Sequence, residues 1–264
     1  MACTIAIVNK KGGVGKTTTA FNLAGILAAD YDKRVLAVDL DSQANLTISF
    51  KVNIMELPVS MSEVFLRTAT LEDIAIPVLD RIHLAPARTD LAKVVGTTAV
   101  QGFGRLNEIL KFRKGNIQEL YDYIIIDTPP DVESVLTKNG LAISDFVVAP
   151  LKACDYSLAG ITGVTDAVES IKSDFINTDI KVLGFLLTLL EHTSLTKKNL
   201  GLIDETQYGP HMFKVMIRKN AALPECVSTG KPISLYRRNC PGYWDYRAFT
   251  EELLDRIRQV HGSA

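Results

Sequence analysis

The sequence has few cysteines, almost no net charge and no long apolar run. No C-x-x-C pair or Cys/His cluster is present, which argues against a zinc site and against a disulfide framework. A reducing cytosol is the simplest interpretation. No stretch approaches the roughly 20 apolar residues of a membrane span, and the first residues lack the basic leader of a signal peptide. We therefore expect a soluble, cytoplasmic protein. The four cysteines are Cys3, Cys154, Cys226 and Cys240.

The overall charge also narrows the function classes. The formal net charge is -1 and the isoelectric point is near 6.4, so the charge balance predicts no general attraction to nucleic acid. Any such binding has to come from a local patch. With 264 residues and 47% hydrophobic content, the chain can bury one sizeable core, so we expect a single domain over residues 1–264.

Short runs rich in Val, Ile and Leu alternate with longer segments of helical period. This pattern is typical of an α/β fold, with a mostly parallel, twisted sheet and helices on both faces. Residues 50–104 are the least periodic, and we expect short helices and loops on the rim there. The predicted strands are Cys3–Val8, Val35–Asp39, Arg81–Ala85, Tyr123–Asp127, Phe146–Pro150, Lys181–Leu189 and His211–Met216. The clearest predicted helices are Lys16–Ala29, Ser157–Lys172 and Tyr243–Val260.

A glycine-rich segment directly follows the first strand, where residues 10–19 read KKGGVGKTTT. It fits the phosphate-binding template G-x-x-x-x-G-K-S/T except at its first position, where Lys10 replaces glycine. The glycines let backbone N–H groups converge on phosphate oxygens, and the next helix directs its positive end at the anion. Lys16 supplies a charge to the β- and γ-phosphates, and the Thr17 hydroxyl is a ligand for Mg²⁺.

A chance glycine-rich turn is the alternative interpretation, but the strand before the segment and the threonine-rich helix start after it favour a P-loop. We therefore predict ATP and Mg²⁺ as cofactors. The residues expected to bind the nucleotide are Lys11, Gly12, Gly13, Val14, Gly15, Lys16, Thr17 and Thr18.

Two other predicted strands end in carboxylates. Residues 123–127 form an apolar strand that ends in Asp127, as a Walker B strand does, and Asp127 would hold Mg²⁺ through water. Asp39 and Asp41 have period-two spacing, which places both on one side of the strand end. Asp41 would position the attacking water, and Asp39 would support the Mg²⁺ shell. The alternative is that these are turn or loop aspartates.

The segment from Lys214 to Arg247 has a local excess of positive charge. It contains seven basic residues and two acidic ones, an excess of five. Such a patch can bind duplex DNA without regard to sequence, with an affinity that falls as salt rises. A charge run can equally be a solvated face, and the sequence pattern alone leaves both interpretations open.

Together these motifs resemble the ParA/MinD family of deviant Walker ATPases, most closely the ParA partition proteins, over nearly the whole chain. Residues 11–19 resemble the family's P-loop, residues 39–43 its Asp-x-Asp-Pro-Gln motif and residues 126–130 its Walker B segment. Residues 220–232 are similar to the segment Asn-x-x-Leu-x-Glu-Ala-Pro-Ser-x-Gly-Lys-Pro of ParA proteins. Two departures are Ser42 in place of the family's proline, and Arg218–Lys219 in place of Pro-Arg, so adenine contacts are not assigned.

The resemblance implies a homodimer formed with ATP, in which Lys11 reaches the partner's nucleotide. It implies weak ATP hydrolysis that an adaptor stimulates, with Lys11, Lys16 and Asp41 as catalytic residues, and location on the nucleoid. The adaptor would be a ParB-like or other cargo-bound protein, and the track would be non-specific DNA. The cargo would be a plasmid, a chromosome region or a protein organelle. The expected DNA-binding residues are Lys197, Lys198, Arg218, Lys219, Arg237, Arg238 and Arg247.

Two other classes are less favoured. A MinD-like membrane ATPase would end in a membrane-binding helix, but residues 251–261 carry acidic residues and have no Trp or Phe after Phe249, so core packing is expected. An iron protein of the nitrogenase type needs cysteines shared across a dimer, and Cys154 has no matching partner in the sequence. The P-loop begins within ten residues of Met1, so we expect no helix-turn-helix domain before it.

Overall fold

The computed structural model describes residues 2–95, 117–152, 158–191 and 207–262. Its centre is a seven-stranded sheet. The strands are β1 (Cys3–Ile7), β2 (Val35–Asp39), β3 (Ile76–Leu79), β4 (Ile82–Ala85), β5 (Tyr123–Asp127), β6 (Phe146–Lys152) and β7 (Lys181–Thr188). Their order across the sheet is β3-β4-β2-β5-β1-β6-β7. Strand β3 is antiparallel to β4, and every other neighbouring pair is parallel.

Helices connect the strands and cover both faces of the sheet. The described helices are α1 (Lys16–Tyr31), α2 (Asn45–Ser49), α3 (Met61–Leu66), α4 (Leu71–Ile74), α5 (Leu91–Val95), α6 (Ile117–Leu120), α7 (Val135–Ile143), α8 (Leu158–Ser173), α9 (Ala222–Thr229), α10 (Ile233–Tyr236) and α11 (Pro241–Gly262). Strand β5 shows why two layers are needed, because Ile124 and Ile126 pack into one apolar cluster and Ile125 into the other. Helices α7 and α8 belong to the first cluster, and α1 and α11 belong to the second. The predicted fold class is confirmed.

Six of the seven predicted strands are present, each with ends within two residues of the prediction. The predicted strand His211–Met216 is wrong. A 3-10 turn occupies Gly209–His211. Within residues 211–216 the described pairing with β7 is an isolated bridge between Phe185 and Met212, and the next backbone contact is the Ile217 N–H to the Leu187 carbonyl at 2.8 Å. The reason is that the Glu252 carboxylate of α11 takes two backbone donors that a strand would use. The N–H groups of Lys214 and Val215 donate to this carboxylate, both at 3.0 Å.

The rim segment 50–104 is more regular than predicted. Helices α3, α4 and α5 agree with the expected short helices, but strand β3 was not predicted. It forms a hairpin with β4, and Pro77 removes a backbone donor, which the sheet accommodates because β3 is an edge strand. The part of this prediction that covers residues 96–104, and Ser157 at the predicted start of a helix, lie outside the described residues.

No helix in the described part of the chain combines the length and the apolar character needed to cross a bilayer. The predicted carboxyl-terminal helix is present as α11, and Phe249, Leu253 and Ile257 on it are buried in the core. The expectation that this helix packs on the core is confirmed for these three residues.

Candidate nucleotide site

The glycine-rich segment forms a loop between β1 and α1. Gly13 has a φ of 71° and Gly15 a φ of 85°, both in the left-handed region that favours glycine. Gly15 is the residue before the first turn of α1, where backbone N–H groups have no partner within the helix. Val14 lies buried between the two glycines, with 2% of its surface exposed. This geometry presents the positive end of α1 to the loop, as an anion site requires.

Asn9 fixes the entry to the loop, although no sequence motif points to it. Its side-chain Oδ1 accepts the Lys11 N–H at 2.9 Å, and its Nδ2 donates to the Pro150 carbonyl at 2.7 Å. Asn9 thereby joins the end of β1 to the end of β6. An isolated asparagine after a strand carries no motif, so its position in the sheet is needed to recognise this contact.

Lys16 is buried at the start of α1, with 7% of its surface exposed. Its Nζ donates to the Lys11 carbonyl at 3.0 Å, which folds the side chain back over the loop. Burial lowers the pKa of Lys16, and the charges of Asp127 and Asp41 oppose this shift. The predicted phosphate-binding lysine therefore lies inside the loop and is tethered to the backbone that would surround a phosphate.

Thr17 and Asp127 meet at the end of β5. The Thr17 hydroxyl donates to Asp127 Oδ2 at 2.6 Å, across 110 residues of sequence. Asp127 is fully buried, and its other oxygen, Oδ1, finds no hydrogen-bond partner among the described residues. Burial raises the pKa of Asp127 well above its usual range, the charge of Asp39 adds to the shift, and Thr17 and Lys16 oppose it. A buried carboxylate oxygen without a donor, beside a threonine hydroxyl, fits a Mg²⁺ ion or its bound water.

Asp39 is also fully buried, but its oxygens are engaged by the protein. Oδ2 accepts the N–H and the hydroxyl of Thr47 at 2.8 and 2.7 Å, and Oδ1 accepts the Asp41 N–H at 3.0 Å. Burial raises the pKa of Asp39 to about 6 despite these hydrogen bonds. These contacts anchor α2 and the Asp41 backbone. The role of Asp39 in the Mg²⁺ shell stays a prediction.

Asp41 lies at the same edge of the sheet, just beyond β2, with 7% of its surface exposed. Its Oδ1 accepts the Gln43 N–H at 2.9 Å, which fixes the carboxylate at the start of a turn. Strands β2 and β5 pair in register, with Asp39 opposite Asp127, so the three aspartates come together as the sequence predicts. The structure thus places Lys16, Thr17, Asp41 and Asp127 around one loop.

Thr188, at the end of β7, is a further residue of the site that no sequence motif marks. Its side chain is buried, and its hydroxyl donates to the Val14 carbonyl at 2.8 Å. A threonine at the end of an apolar strand carries no motif, so sequence alone gives no signal for it. Lys10, which replaces the template glycine, is exposed, and its Cδ lies 3.2 Å from the position of a Cβ built on Gly163 of α8.

The predicted DNA-binding residues form two groups, each with carboxylates. In the first group, Arg218 makes a two-pronged ion pair with Asp245 (Nη2 to Oδ1 2.6 Å, Nε to Oδ2 3.0 Å), and Lys219 pairs with Glu191 at 2.6 Å. The Lys219 and Glu191 side chains are both more than half exposed, and such a pair contributes little to stability.

The second group contains three arginines, two of which lie at the end of α1. Arg238 donates to Asp30 at 2.6 Å, Arg247 approaches the same carboxylate at 3.9 Å, and Arg237 lies 3.4 Å from Glu225. Asp30 and Glu191 lie outside the segment 214–247, so the local positive charge is lower than the sequence count suggests. The predicted sites Lys197 and Lys198 lie outside the described residues, and DNA binding by the other five stays a prediction.

The sheet order, the loop and the converging Lys16, Thr17 and Asp127 define a P-loop nucleotide-binding fold. Comparison with protein families agrees: a model described as an AAA domain matches residues 2–182. The chromosome-partitioning ATPase Soj of Thermus thermophilus is 36% identical over 257 residues, which are 97% of each chain. The sporulation initiation inhibitor protein Soj of Bacillus subtilis is 35% identical over 263 residues, again 97% of each chain.

Solved structures give the same result. Cobyrinic acid a,c-diamide synthase from Mycobacterium smegmatis, with bound ADP and magnesium, is 30% identical and superposes with a TM-score of 0.78 over 98% of this chain and 96% of that one. Apo McdA from Cyanothece superposes with a TM-score of 0.82 over 96% of this chain and 100% of that one, and its 21% identity supports the fold alone. The bound ADP and magnesium of the first structure agree with the predicted cofactors.

The chain belongs to the ParA/MinD family of P-loop ATPases, as its motifs predict. Relatives at 31–36% identity over nearly the full length include chromosome-partitioning proteins of the Soj and ParA type. It is therefore an ATPase of the partition and positioning class.

Proposed function

We propose that this chain, as one ATPase domain over residues 1–264, is a nucleotide-switched partition ATPase that moves or spaces a cargo along DNA. The observation that carries the proposal is the buried pair of Thr17 and Asp127, in which Asp127 Oδ1 has no donor among the described residues. In a complex with Mg-ATP, the metal ion would supply the missing positive charge at this oxygen. The triphosphate would supply a phosphate for Lys16. The Mycobacterium neighbour with bound ADP and magnesium supports ATP and Mg²⁺ as the cofactors.

In this proposal each residue of the loop has a defined task. The N–H groups at residues 12–18 donate to phosphate oxygens, and Lys16 exchanges its Lys11 carbonyl for the β- and γ-phosphates. Thr17 and Asp127 hold Mg²⁺. Asp41, fixed through Gln43, orients the attacking water, because it lies at the carboxyl edge of β2 beside the loop.

The proposed active form is a homodimer. Lys11 lies in the same loop as Lys16, and its cation is repelled by Lys16 but attracted by the negative charge of a bound triphosphate. The family's arrangement, in which this lysine reaches the partner's nucleotide, provides that charge. ATP would therefore promote pairing, and hydrolysis would release it.

The proposed track is DNA in the cytoplasm, bound without sequence preference by the basic residues of two subunits. The exposed pairs Lys219–Glu191 and Arg237–Glu225 are weak, so phosphates can replace their carboxylates at low cost. A cargo-bound adaptor of the ParB type would stimulate hydrolysis and deplete the ATPase near the cargo. The Soj and ParA relatives support this role.

The test is DNA co-sedimentation with the variant Asp41→Ala, which should bind Mg-ATP but hydrolyse it slowly and so remain on DNA. Lys16→Ala is the matched control and should lose nucleotide binding and DNA binding together. Rapid ATP turnover by Asp41→Ala would contradict the role of this aspartate. Nucleotide binding without DNA association, for both the wild type and Asp41→Ala at low salt, would contradict the DNA track. Flotation with liposomes tests the MinD-like alternative, because a membrane-associated ATPase would float with the liposomes.

A further inference from the structure

Thr188 connects the P-loop to the sheet from the side opposite to the aspartates. It is the last residue of β7, and 2% of its surface is exposed. Its hydroxyl lies 2.8 Å from the Val14 carbonyl of the loop and 3.2 Å from the Leu151 carbonyl of β6. A hydroxyl has one proton, so it donates to one of these oxygens at a time, and the shorter distance favours Val14.

This hydrogen bond sets the direction of a peptide group in the loop. The Val14–Gly15 peptide is trans, so its C=O and N–H point in opposite directions. Because Thr188 holds the Val14 carbonyl, the Gly15 N–H is directed away from β7. Gly15 immediately precedes α1, so this N–H lies at the positive end of that helix.

The side chain of Thr188 also lies close to Gly15. A Cβ built on Gly15 would lie 3.7 to 3.8 Å from its Oγ1, Cβ and Cγ2 atoms, which is ordinary van der Waals contact. Thr188 itself is held in the sheet, because β7 pairs with β6 up to the Lys152–Thr188 position. The hydrogen bond from Thr188 to Val14 therefore ties the loop to the sheet. The loop is rich in glycine, and its peptides could otherwise rotate.

We propose that Thr188 is a positioning residue for nucleotide binding: it holds the Val14–Gly15 peptide in the orientation that directs the Gly15 N–H at a phosphate oxygen. The proposal rests on nucleotide binding by this loop, as set out under the proposed function. Thr188 acts through the peptide and does not itself contact the phosphate. Without the hydroxyl, the peptide can rotate, and part of the binding free energy is spent on ordering it.

The proposal is separable from a role in folding. Thr188→Val keeps the shape of the side chain but leaves the Val14 carbonyl without its donor, so some loss of stability is expected in either case. A purely structural threonine would leave the affinity of the folded protein for nucleotide unchanged. A positioning threonine lowers that affinity when it is replaced by valine, and a serine, which keeps the hydroxyl, restores it.

The experiment measures the dissociation constant of Mg-ADP by calorimetry, and the melting temperature with and without Mg-ADP, for the wild type, Thr188→Val and Thr188→Ser. Thr250→Val is the matched control, because Thr250 is also buried and its hydroxyl donates to the Tyr246 carbonyl within α11. Should the valine variant fail to fold, the pair Thr188→Ser and Thr188→Ala carries the test, since these two differ in the hydroxyl alone.

We expect Thr188→Val to bind Mg-ADP about tenfold more weakly, because the Gly15 N–H is then no longer held in place to donate to the phosphate. The dissociation constants of Thr188→Ser and Thr250→Val should stay within about twofold of the wild-type value, since both variants keep a hydroxyl at position 188. Wild-type affinity in Thr188→Val, or no rescue by serine, would overturn the inference while the proposed function stands. If the wild type and Thr250→Val also fail to bind Mg-ADP, the proposed function fails and this inference falls with it.

Discussion

Arg238 and Asp30 form an ion pair of 2.6 Å across 208 residues of sequence, at the end of α1 farthest from the P-loop. Asp30 also accepts the Tyr243 hydroxyl at 2.8 Å, and its side chain is 8% exposed, whereas that of Arg238 is 56% exposed. The helix that begins at the phosphate site thus ends on a carboxylate that neutralises part of the proposed DNA surface. The charge available to DNA depends on this aspartate as well as on the arginines.

Replacing Asp30 by asparagine should strengthen DNA binding. The substitution removes the negative charge beside Arg238 and Arg247 and leaves both arginines exposed to solvent. If one more phosphate is then neutralised, the plot of log affinity against log salt should steepen by about 0.9 for duplex DNA. Fluorescence anisotropy with ATP across a salt series measures this slope.

Asp255→Asn is the charge-matched control for this experiment. Asp255 also pairs with an arginine, Arg258, but both side chains are more than half exposed. Its slope should equal that of the wild type. Equal slopes for Asp30→Asn and the wild type would show that Arg238 and Arg247 do not face DNA.

Lys11→Ala should separate nucleotide binding from pairing. The Asn9 contact to the Lys11 N–H and the Lys16 contact to the Lys11 carbonyl both use the backbone, so the alanine variant keeps them. We therefore expect Mg-ATP still to bind, with an affinity within about tenfold of the wild type, since the lost group is one charged donor. ATP-dependent dimers should be lost.

Light scattering after size-exclusion chromatography with Mg-ATP measures the dimer. Lys10→Ala is the control, because Lys10 is the neighbouring lysine and its side chain lies against Gly163 of α8. A normal ATP-dependent dimer of Lys11→Ala would contradict the proposed role of Lys11. Loss of the dimer in Lys10→Ala would show that the effect is not specific to Lys11.

The sequence predicts the parts of this molecule that depend on local pattern. Apolar runs identify six strands, and the carboxyl ends of parallel strands share an edge, so the pattern alone places Asp39, Asp41 and Asp127 together. The predicted strand His211–Met216 failed because Glu252, almost 40 residues away, takes the backbone donors of Lys214 and Val215. Long-range side-chain contacts of this kind leave no periodic signal.

The same limit applies to the site. Glycine, lysine and aspartate have recognisable spacing because phosphate and Mg²⁺ chemistry demands those residue types. The contacts of Asn9, Thr188 and Asp30 join distant parts of the chain through common residue types, so the sequence shows no spacing from which to infer them. The fold and the chemical groups were predictable, whereas the residues that hold them in place were not.

The buried aspartates predict a specific pH dependence for the protein without nucleotide and metal. Burial raises the pKa of Asp39 to about 6 and holds that of Asp127 well above its usual value near 3.8. The folded state therefore binds more protons than the unfolded state above pH 4, and its stability falls as pH rises through the folded pKa values. Asp127→Asn removes one of these groups, so its stability relative to the wild type should improve from pH 4 to pH 7.

Urea unfolding in EDTA at several pH values measures this difference. Asp122→Asn is a control of opposite sign, because the Arg34 N–H and guanidinium lower the pKa of Asp122. The contribution of Asp122 to the stability of the folded state is therefore present above pH 4 and is lost as pH falls. Its stability relative to the wild type should therefore worsen from pH 3 to pH 5. A relative stability of Asp127→Asn that does not change with pH would show that Asp127 ionises normally in the folded protein.

Gly25 should resist replacement although it lies in the middle of α1. A Cβ built there would lie 2.1 Å from Cβ and 2.7 Å from Cγ of Pro232, just before α10, so α1 and α10 would have to separate. Alanine gains about 1 kcal/mol of helix propensity over glycine, but overpacking of a core costs about 1–3 kcal/mol, and a contact this short belongs at the upper end. We expect Gly25→Ala to lower the free energy of unfolding by about 1–2 kcal/mol as the difference between these terms.

Gly160→Ala in α8 is the matched substitution, because a Cβ there would meet Leu151 Cδ2 at 3.6 Å, an ordinary contact. It should leave the free energy of unfolding unchanged or raise it by up to about 1 kcal/mol. Urea titrations of both variants and the wild type measure these values. Since α1 carries the P-loop at one end and Asp30 at the other, Gly25→Ala should also weaken Mg-ADP binding, whereas Gly160→Ala should not. Equal stability of the two alanine variants would mean that α1 and α10 do not approach as closely as described.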